Sequence, residues 1–390
     1  MNNTMQKSSD RPRVGLFVIC TFLYWVTVYT YVPTMTPYLA DLGISFMMIG
    51  LIGGSYGFSQ MLLRLPLGVM SDRLGKRKVF IIFGLFMGAA SSFGMFFTQN
   101  AFFILTLRLL AGVSASAWVV FMILFSSYYD KDKLPSRVSY LLFVNSCGFM
   151  AAKFAGGVVA EHFGHEYTFL LGGLAGLLAT ALGLFITERT PNLKELPTVR
   201  KLLGVVRNRN LVYMSILAVF SQMVMHSTIN TFTSAAASNA GADLMQLGVL
   251  ATVASIPAMV VSLICGKLFS TRTINVRLVV VTGFAVSAAG AIIIPFATGM
   301  TSIYTSTILI GFGCAICMST LMGFCALKVE DNQRSAAMGV FQAVYGLGMF
   351  TGPVLIGIFV DLTGISGGFF AASALAFIGL LLTYMLLEKA

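Results

Sequence analysis

Apolar residues fill the chain in twelve long runs, and polar residues collect in the short breaks between them. The runs fall near 14–40, 44–71, 79–97, 101–129, 135–163, 167–187, 210–239, 244–269, 278–297, 301–327, 335–361 and 366–387. A membrane-spanning helix needs about 20 apolar residues. Each run therefore predicts one span, and the longer ones predict tilted helices or ends that protrude. The longest polar break runs from Glu188 to Arg209 and contains Pro191 and Pro197. It reads as a linker, which divides the chain into bundles at 1–187 and 210–390 joined by 188–209.

Composition removes the soluble alternatives. Hydrophobic residues make up 57% and charged residues 10%, whereas soluble domains carry about 25% charged residues. The net charge of +11 does not suit nucleic-acid binding, because the cations form no single basic face. Of the 25 Lys and Arg, all but Arg64, Arg108 and Lys153 lie in alternate connections or at the termini. That is the positive-inside pattern. It predicts a multi-pass protein of the cell membrane with both termini in the cytoplasm. Lys7, Arg11 and Arg13 precede the first run in the manner of a signal peptide, but the run is too long and lacks a small-residue cleavage site, so it reads as a retained span. The six cysteines lie inside apolar runs, so Cys314 and Cys317 read as small packing residues and not as a redox pair.

An internal repeat supports two related halves. Gly148, Gly157, Glu161 and Gly164 recur, at an offset of 200, as Gly348, Gly357, Asp361 and Gly364, and Gly156 adds a further packing glycine beside Gly157. Gly348 and Gly352 precede Pro353 and, with Gly357, line one helix face at spacings that admit a neighbouring backbone. Glu161 and Asp361 end their runs at equivalent places. They read either as structural groups or as proton acceptors.

The segment Gly68-Val-Met-Ser-Asp72-Arg73-Leu-Gly75-Lys76-Arg77, after the second run, resembles the major facilitator superfamily signature G-x-x-x-D-R-x-G-R/K-R/K. Arg108 and Gly112 match the family's R-x-x-x-G in the fourth span. The drug-antiporter element G-x-x-x-G-P of span five is half present: Gly148 stands, while Ala152 and Lys153 replace its Gly-Pro. The resemblance covers essentially the whole chain. It implies an all-α membrane protein with twelve transmembrane helices in two six-helix pseudo-symmetric bundles. It also implies a conformational latch in which Asp72 meets the start of span eleven, near Asn332 to Ser335, in a cluster with Lys76 and Asp130. The matching place in the second half, Gly266 to Ser270, has no acid, so the latch is expected on one side only. The cations after Asp72 also serve as plain topology signals.

Candidate chemistry sits inside the spans. A cation there costs at least about 2.5–3.5 kcal/mol and marks function by default. Arg108 and Lys153 lie roughly 10–15 Å below the outer surface by helix rise. They would attract a substrate anion or exchange partners during proton coupling. The plainer readings are that Arg108 binds backbone carbonyls and that Lys153 snorkels outward. Arg64 lies nearer the cytoplasmic end and reads as a snorkelling side chain. His226, with Asn230 one turn on, is the deep group that titrates near neutrality. It is either a proton carrier or a hydrogen-bonded packing residue. By the family resemblance, spans one, four, seven and ten line a central cavity, which places Tyr24, Tyr29 and Trp118 as candidate substrate contacts.

No P-loop and no metal-binding motif is present in the sequence, and Ser366 between Ile365 and Gly367 has no histidine partner to activate it. The chain therefore reads as no enzyme, with no cofactor and no metal. The expected activity is secondary active transport of a small organic solute by alternating access, as proton-coupled efflux from a monomer in the lipid bilayer. The competing expectations are uptake or exchange of an organic anion on the same fold, and a receptor or scaffold that does not transport.

Overall fold

The computed structural model describes residues 13–130, 133–189, 208–268, 275–327 and 334–387. Eleven helical stretches among them are long and apolar enough to span a membrane. The last of these is two spans, because Gly364 (φ 76°, ψ 176°) breaks it. The twelve spans are α1 (Val14–Asp41), α2 (Phe46–Leu74), α3 (Arg77–Phe96), α4 (Ala101–Ser126), α5 (Leu134–Phe163) and α6 (His165–Gly183) in the first bundle. The second holds α7 (Arg209–Asn239), α8 (Leu244–Val253 and Ile256–Leu268), α9 (Val276–Phe296), α10 (Met300–Leu327), α11 (334–363) and α12 (365–386). The predicted spans and the observed ones coincide to within about a turn. Most of the predicted linker, 190–207, lies outside the described residues, as do Asn332, Gln333, Ser270 and the cations of the N-terminal segment before Arg13.

Burial separates a central set of helices from a peripheral one. Every residue from Tyr31 to Leu39 in α1 is buried, and α7 is enclosed along most of its length. By contrast α3, α6 and α12 carry exposed apolar stripes, such as Phe83 and Phe86, Leu174, Leu177 and Leu178, and Phe377, Ile378 and Leu381. Stripes at three- and four-residue spacing mark the faces that meet lipid chains. Several central spans are interrupted. In α1 the helix stops at Tyr29 and restarts at Val32 with Pro33 in its first turn. In α7 a π-helical turn occupies Thr228–Phe232. In α8 the break at Ala254 and Ser255 precedes Pro257, whose ring and missing N–H disturb the turn before it.

Glycine contacts give the packing its pseudo-symmetry. A Cβ on Gly148 would meet Phe22 and Trp25 of α1, and one on Gly348 would meet Val219 and Met223 of α7. A Cβ on Gly157 would fall 2.7 Å from the Cα of Gly248 in α8, and one on Gly357 would strike Phe46 at the start of α2. So α5 seats α1 on one side and α8 on the other, while α11 does the same for α7 and α2. Gly156 admits the Thr30 carbonyl at the break in α1, and Gly352 admits the backbone of Met223. Pro353 lies in the middle of α11 where its carbonyl meets Gly50. Gly112 admits Tyr56 and Ser59 of α2.

The two ends of the bundle differ in charge. One end carries Asp72, Arg73, Lys76, Arg77 and Lys78 and is called here the basic end. The other carries Asp41, Glu161, Glu166, Asp243 and Asp361, with no Lys or Arg among the described residues, and is called the acidic end.

Candidate functional site

The centre of the molecule holds two buried cations that face each other across two tyrosines. Arg108 of α4 is 5% exposed, and its Nη1 donates to the Tyr31 hydroxyl at 2.9 Å. Its guanidinium lies 5.3 Å from the Tyr31 ring centre and 4.9 Å from that of Tyr56. Lys153 of α5 is 6% exposed, and its Nζ donates to Ser255 Oγ of α8 at 3.0 Å. The same ammonium lies 5.7 Å from the centre of the Tyr29 ring. The Tyr29 and Tyr56 hydroxyls, 3.5 Å apart, close the row between the cations. Arg108 therefore bonds a side chain and not the helix carbonyls, and Lys153 points inward and does not snorkel. Ring faces attract cations, but they supply no compensating charge. Among the described residues the one ion pair is Asp72–Arg77, far from this centre.

Arg108, Tyr29 and Tyr56 line a small void with Val28, Val32, Gly53, His226, Asn230 and Thr231. Lys153 borders a second void with Val32, Pro33, Ser234 and Thr307 among others. Each leaves room for about one water molecule. The π-helical turn in α7 presents Asn230 and Thr231 to the first void, and His226, just before the turn, lines it too. The turn is pinned where Thr231 Oγ1 donates to the His226 carbonyl at 2.8 Å. Short π-turns of this kind recur at functional sites. His226 Nδ1 and Arg108 Nε are buried with no hydrogen-bond partner among the described residues. Tyr24 is placed differently from the expectation: it is fully buried, donates to the Ser114 carbonyl at 2.7 Å, and packs against Phe121. Trp118 stacks on Phe121 and meets Trp25 edge-on.

Arg64 corrects a second expectation. It does not snorkel. Its Nη1 donates across to Gln342 (3.2 Å) and Tyr345 (2.9 Å) of α11, and Nη2 donates to Gln60 at 2.6 Å. Tyr56, Gln60 and Arg64 recur every fourth residue, so they form one polar face of α2 running toward the basic end.

At the acidic end each half holds the other by a carboxylate. Asp361, at the end of α11, accepts from Phe46 N and Met47 N, both at 2.8 Å, at the start of α2. Glu161, at the end of α5, accepts from Leu244 N (2.9 Å) and Met245 N (3.4 Å) at the start of α8. Each receiving helix has its own cap for the next amide: Ser45 Oγ for Met48 and Asp243 for Gln246. The foreign acid thus completes a cap that its own chain leaves half made, at the end of the helix where negative charge is favoured. Below these clamps α5 and α8 stay together from Met150 to Glu161. Toward the basic end they part: among the described residues the segment Ile256–Leu268 makes next to no contact with α5.

At the basic end Asp72 pairs with Arg77 of its own bundle at 2.9 Å. Gly75 ends α2 in the left-handed conformation (φ 61°), and the amides of Arg77 and Lys78 donate to Glu188. Gly68 faces Val119 of α4. Neither Lys76 nor Asp130 joins Asp72 by a hydrogen bond or ion pair among the described residues. The expected contact with Asn332 at the start of α11 falls outside them. Acid-to-helix-start contacts of the kind foreseen for Asp72 occur at the opposite end, twice.

Two interlocked six-helix bundles around a buried polar centre define a fold shared with solved membrane transporters. A nucleoside transporter, NupG, matches with TM-score 0.83 over 96% of this chain and 99% of its own, at 14% identity. A bacterial homologue of the human lysosomal transporter Spinster, in an inward-facing and occupied conformation, matches with TM-score 0.82 over 98% of each chain, at 13% identity. The family model for the Major Facilitator Superfamily matches residues 17–274 and 216–390, and the chain belongs to that family. An MFS-type transporter of Methanocaldococcus jannaschii is 24% identical, covering 94% of this chain and 98% of its own. The quinolone resistance protein NorA of Staphylococcus aureus is 28% identical over 42% of each chain.

Tyr56, Ser255, Gln342 and Tyr345 did not stand out in the sequence, although Tyr56 lies under Arg108, Ser255 bonds Lys153, and Gln342 and Tyr345 bond Arg64. The four-residue spacing of Tyr56, Gln60 and Arg64 marks one polar helix face that contains one of them. Ser255 and the α11 pair offer no such signal, because their importance lies in which helix faces them.

Proposed function

We propose that the chain is a secondary active transporter that moves a small organic solute across the cell membrane by alternating access, exporting it in exchange for protons. The carrying observation is the unequal contact between halves. The acidic end is shut by two reciprocal carboxylate clamps and a glycine-lined α5–α8 seam, while α5 and α8 separate toward the basic end. A centre reachable from one end at a time is the geometry that rocking bundles need. In this reading residues 1–187 and 210–390 are the rocking units and 188–209 is their tether. The basic end and both termini face the cytoplasm, as the cation distribution favours, and the monomer suffices. His226, beside Arg108 in the central void, is the proposed proton carrier, since an imidazole ring nitrogen can accept and release a proton.

Purified protein in proteoliposomes tests this. An imposed pH gradient is expected to drive solute accumulation from a broad compound panel, and solute addition is expected to move protons. Solute movement that ignores the pH gradient would keep the carrier and remove proton exchange. No movement of any solute would favour a receptor or scaffold.

A further inference from the structure

We infer that the central site receives a small organic carboxylate, with Arg108 and Lys153 as its two anchors and the Tyr29–Tyr56 pair as the wall between them. The inference rests on the carrier reading above and adds the chemistry of the cargo.

The first support is charge. Arg108 and Lys153 are each at least nine-tenths buried, and every partner they have is neutral: a phenol, a serine hydroxyl and the faces of rings. Arg64, half-buried on the same side of α2 as Tyr56, is likewise held by an amide pair and a phenol. The described acids, Asp41, Asp72, Asp130, Glu161, Glu166, Glu188, Asp243 and Asp361, all sit at helix ends or in connections. A buried charge is normally paired. Here the positive charge at mid-membrane awaits a partner from outside the protein.

The second support is unspent hydrogen-bonding capacity. A guanidinium has five donors in a flat fork that matches a carboxylate in two-point contact, and Arg108 spends one of them on Tyr31. Its Nε is buried and unpartnered. His226 Nδ1 is also unpartnered, and Asn230 lines the same void. Lys153 spends one of its three donors, on Ser255. Val28, Val32 and Gly53 supply an apolar floor that suits a hydrocarbon body and disfavours a bare inorganic ion.

The third is geometry. The Arg108 void draws on α1, α2, α4 and α7, and the Lys153 void on α1, α5, α7, α8 and α10. Val32 borders both. A carboxylate held there contacts both bundles and so can bias how they close. The voids hold about one water each as they stand, so the ligand gains its volume as the bundles shift.

The test is a thermal-shift series on the full-length protein in detergent. The probes are hexanoate, benzoate, succinate and citrate, each against its uncharged amide, with hexylamine as the cation control. At least one carboxylate is expected to raise Tm while its amide does not. Its half-saturating concentration is expected to rise about tenfold or more in Arg108→Gln and in Lys153→Met. Arg108→Lys, which keeps the charge and loses the fork, should fall between, and it keeps the test alive if Arg108→Gln does not fold. Equal shifts by acid and amide, a preference for the amine, or unchanged response in both variants would overturn the site. Carboxylates that bind but are never moved in proteoliposomes would leave the site and remove the carrier. Transport of a cationic or neutral solute with no carboxylate response would do the reverse.

Discussion

At the scale of single residues, the central cations decide more than any other group. Tyr31 gives Arg108 its one hydrogen bond, while Tyr24 gives its hydroxyl to a neutral carbonyl. Hydrogen bonds to charged groups are worth about 1.5–3 kcal/mol and neutral ones about 1 kcal/mol. Tyr31→Phe is therefore expected to lower thermal stability more than Tyr24→Phe, in matched melts of the purified variants. Equal losses would mean that the Arg108 bond carries no special weight. Of these residues, the sequence showed the cations but not their company. Arg108 and Lys153 stand out because they are charges set deep within their spans, whereas Arg137 and Glu161 lie toward the two ends of α5. Their phenolic neighbours come from α1 and α2, and no spacing within one helix announces a partner on another. Arg64 shows the same limit: its place near a span end suggested snorkelling, and only the position of α11 reveals Gln342 and Tyr345 beside it.

At the scale of helices, the glycines set how closely spans approach. The α5–α8 seam depends on backbone meeting backbone at Gly157 and Gly248. Gly157→Val should force the seam apart and cost about 1–3 kcal/mol in overpacking strain. Gly148→Ala, whose new methyl would sit 3.2 Å from Trp25 and the Phe22 carbonyl, should be much better tolerated. Melting the two variants side by side checks the ranking. These elements were the most legible part of the sequence. Span number and length follow from unbroken apolar runs, and the repeat at an offset of 200 gave Gly148 and Gly348, Gly157 and Gly357 as equivalents. What the runs hide are the breaks inside them. The stop at Thr30, the π-turn at Thr228–Phe232 and the gap at Ser255 interrupt hydrogen bonding without interrupting hydropathy. Those breaks all fall beside the central site.

At the scale of the whole molecule, the two halves are tied unequally. Each clamp carboxylate is exposed, so each is expected to contribute only about 0.3–1 kcal/mol to closure. Glu161→Ala with Asp361→Ala should then raise the population open at the acidic end by about threefold to thirtyfold. Spin labels at Leu42 and Ala240, which end α1 and α7 at that side, would report it as a longer distance component. A distribution unchanged from the parent protein would show that the glycine seam alone holds this end. The sequence marked Glu161 and Asp361 as a matched pair, but left their role between structure and proton binding. Only the placement of the α2 and α8 starts beneath them reveals the capping contacts, since a helix start is invisible as a binding group until its tertiary neighbour is known.

One end being fastened has a kinetic corollary. A ligand arriving from the basic side meets the end where α5 and α8 already part. One arriving from the opposite side must wait for both fastenings to release, and its measured affinity is reduced by the small fraction of time they are undone. The empty molecule is therefore biased to sample one compartment, and its half-saturation constants measured from the two faces of a membrane should be unequal even before any gradient is applied.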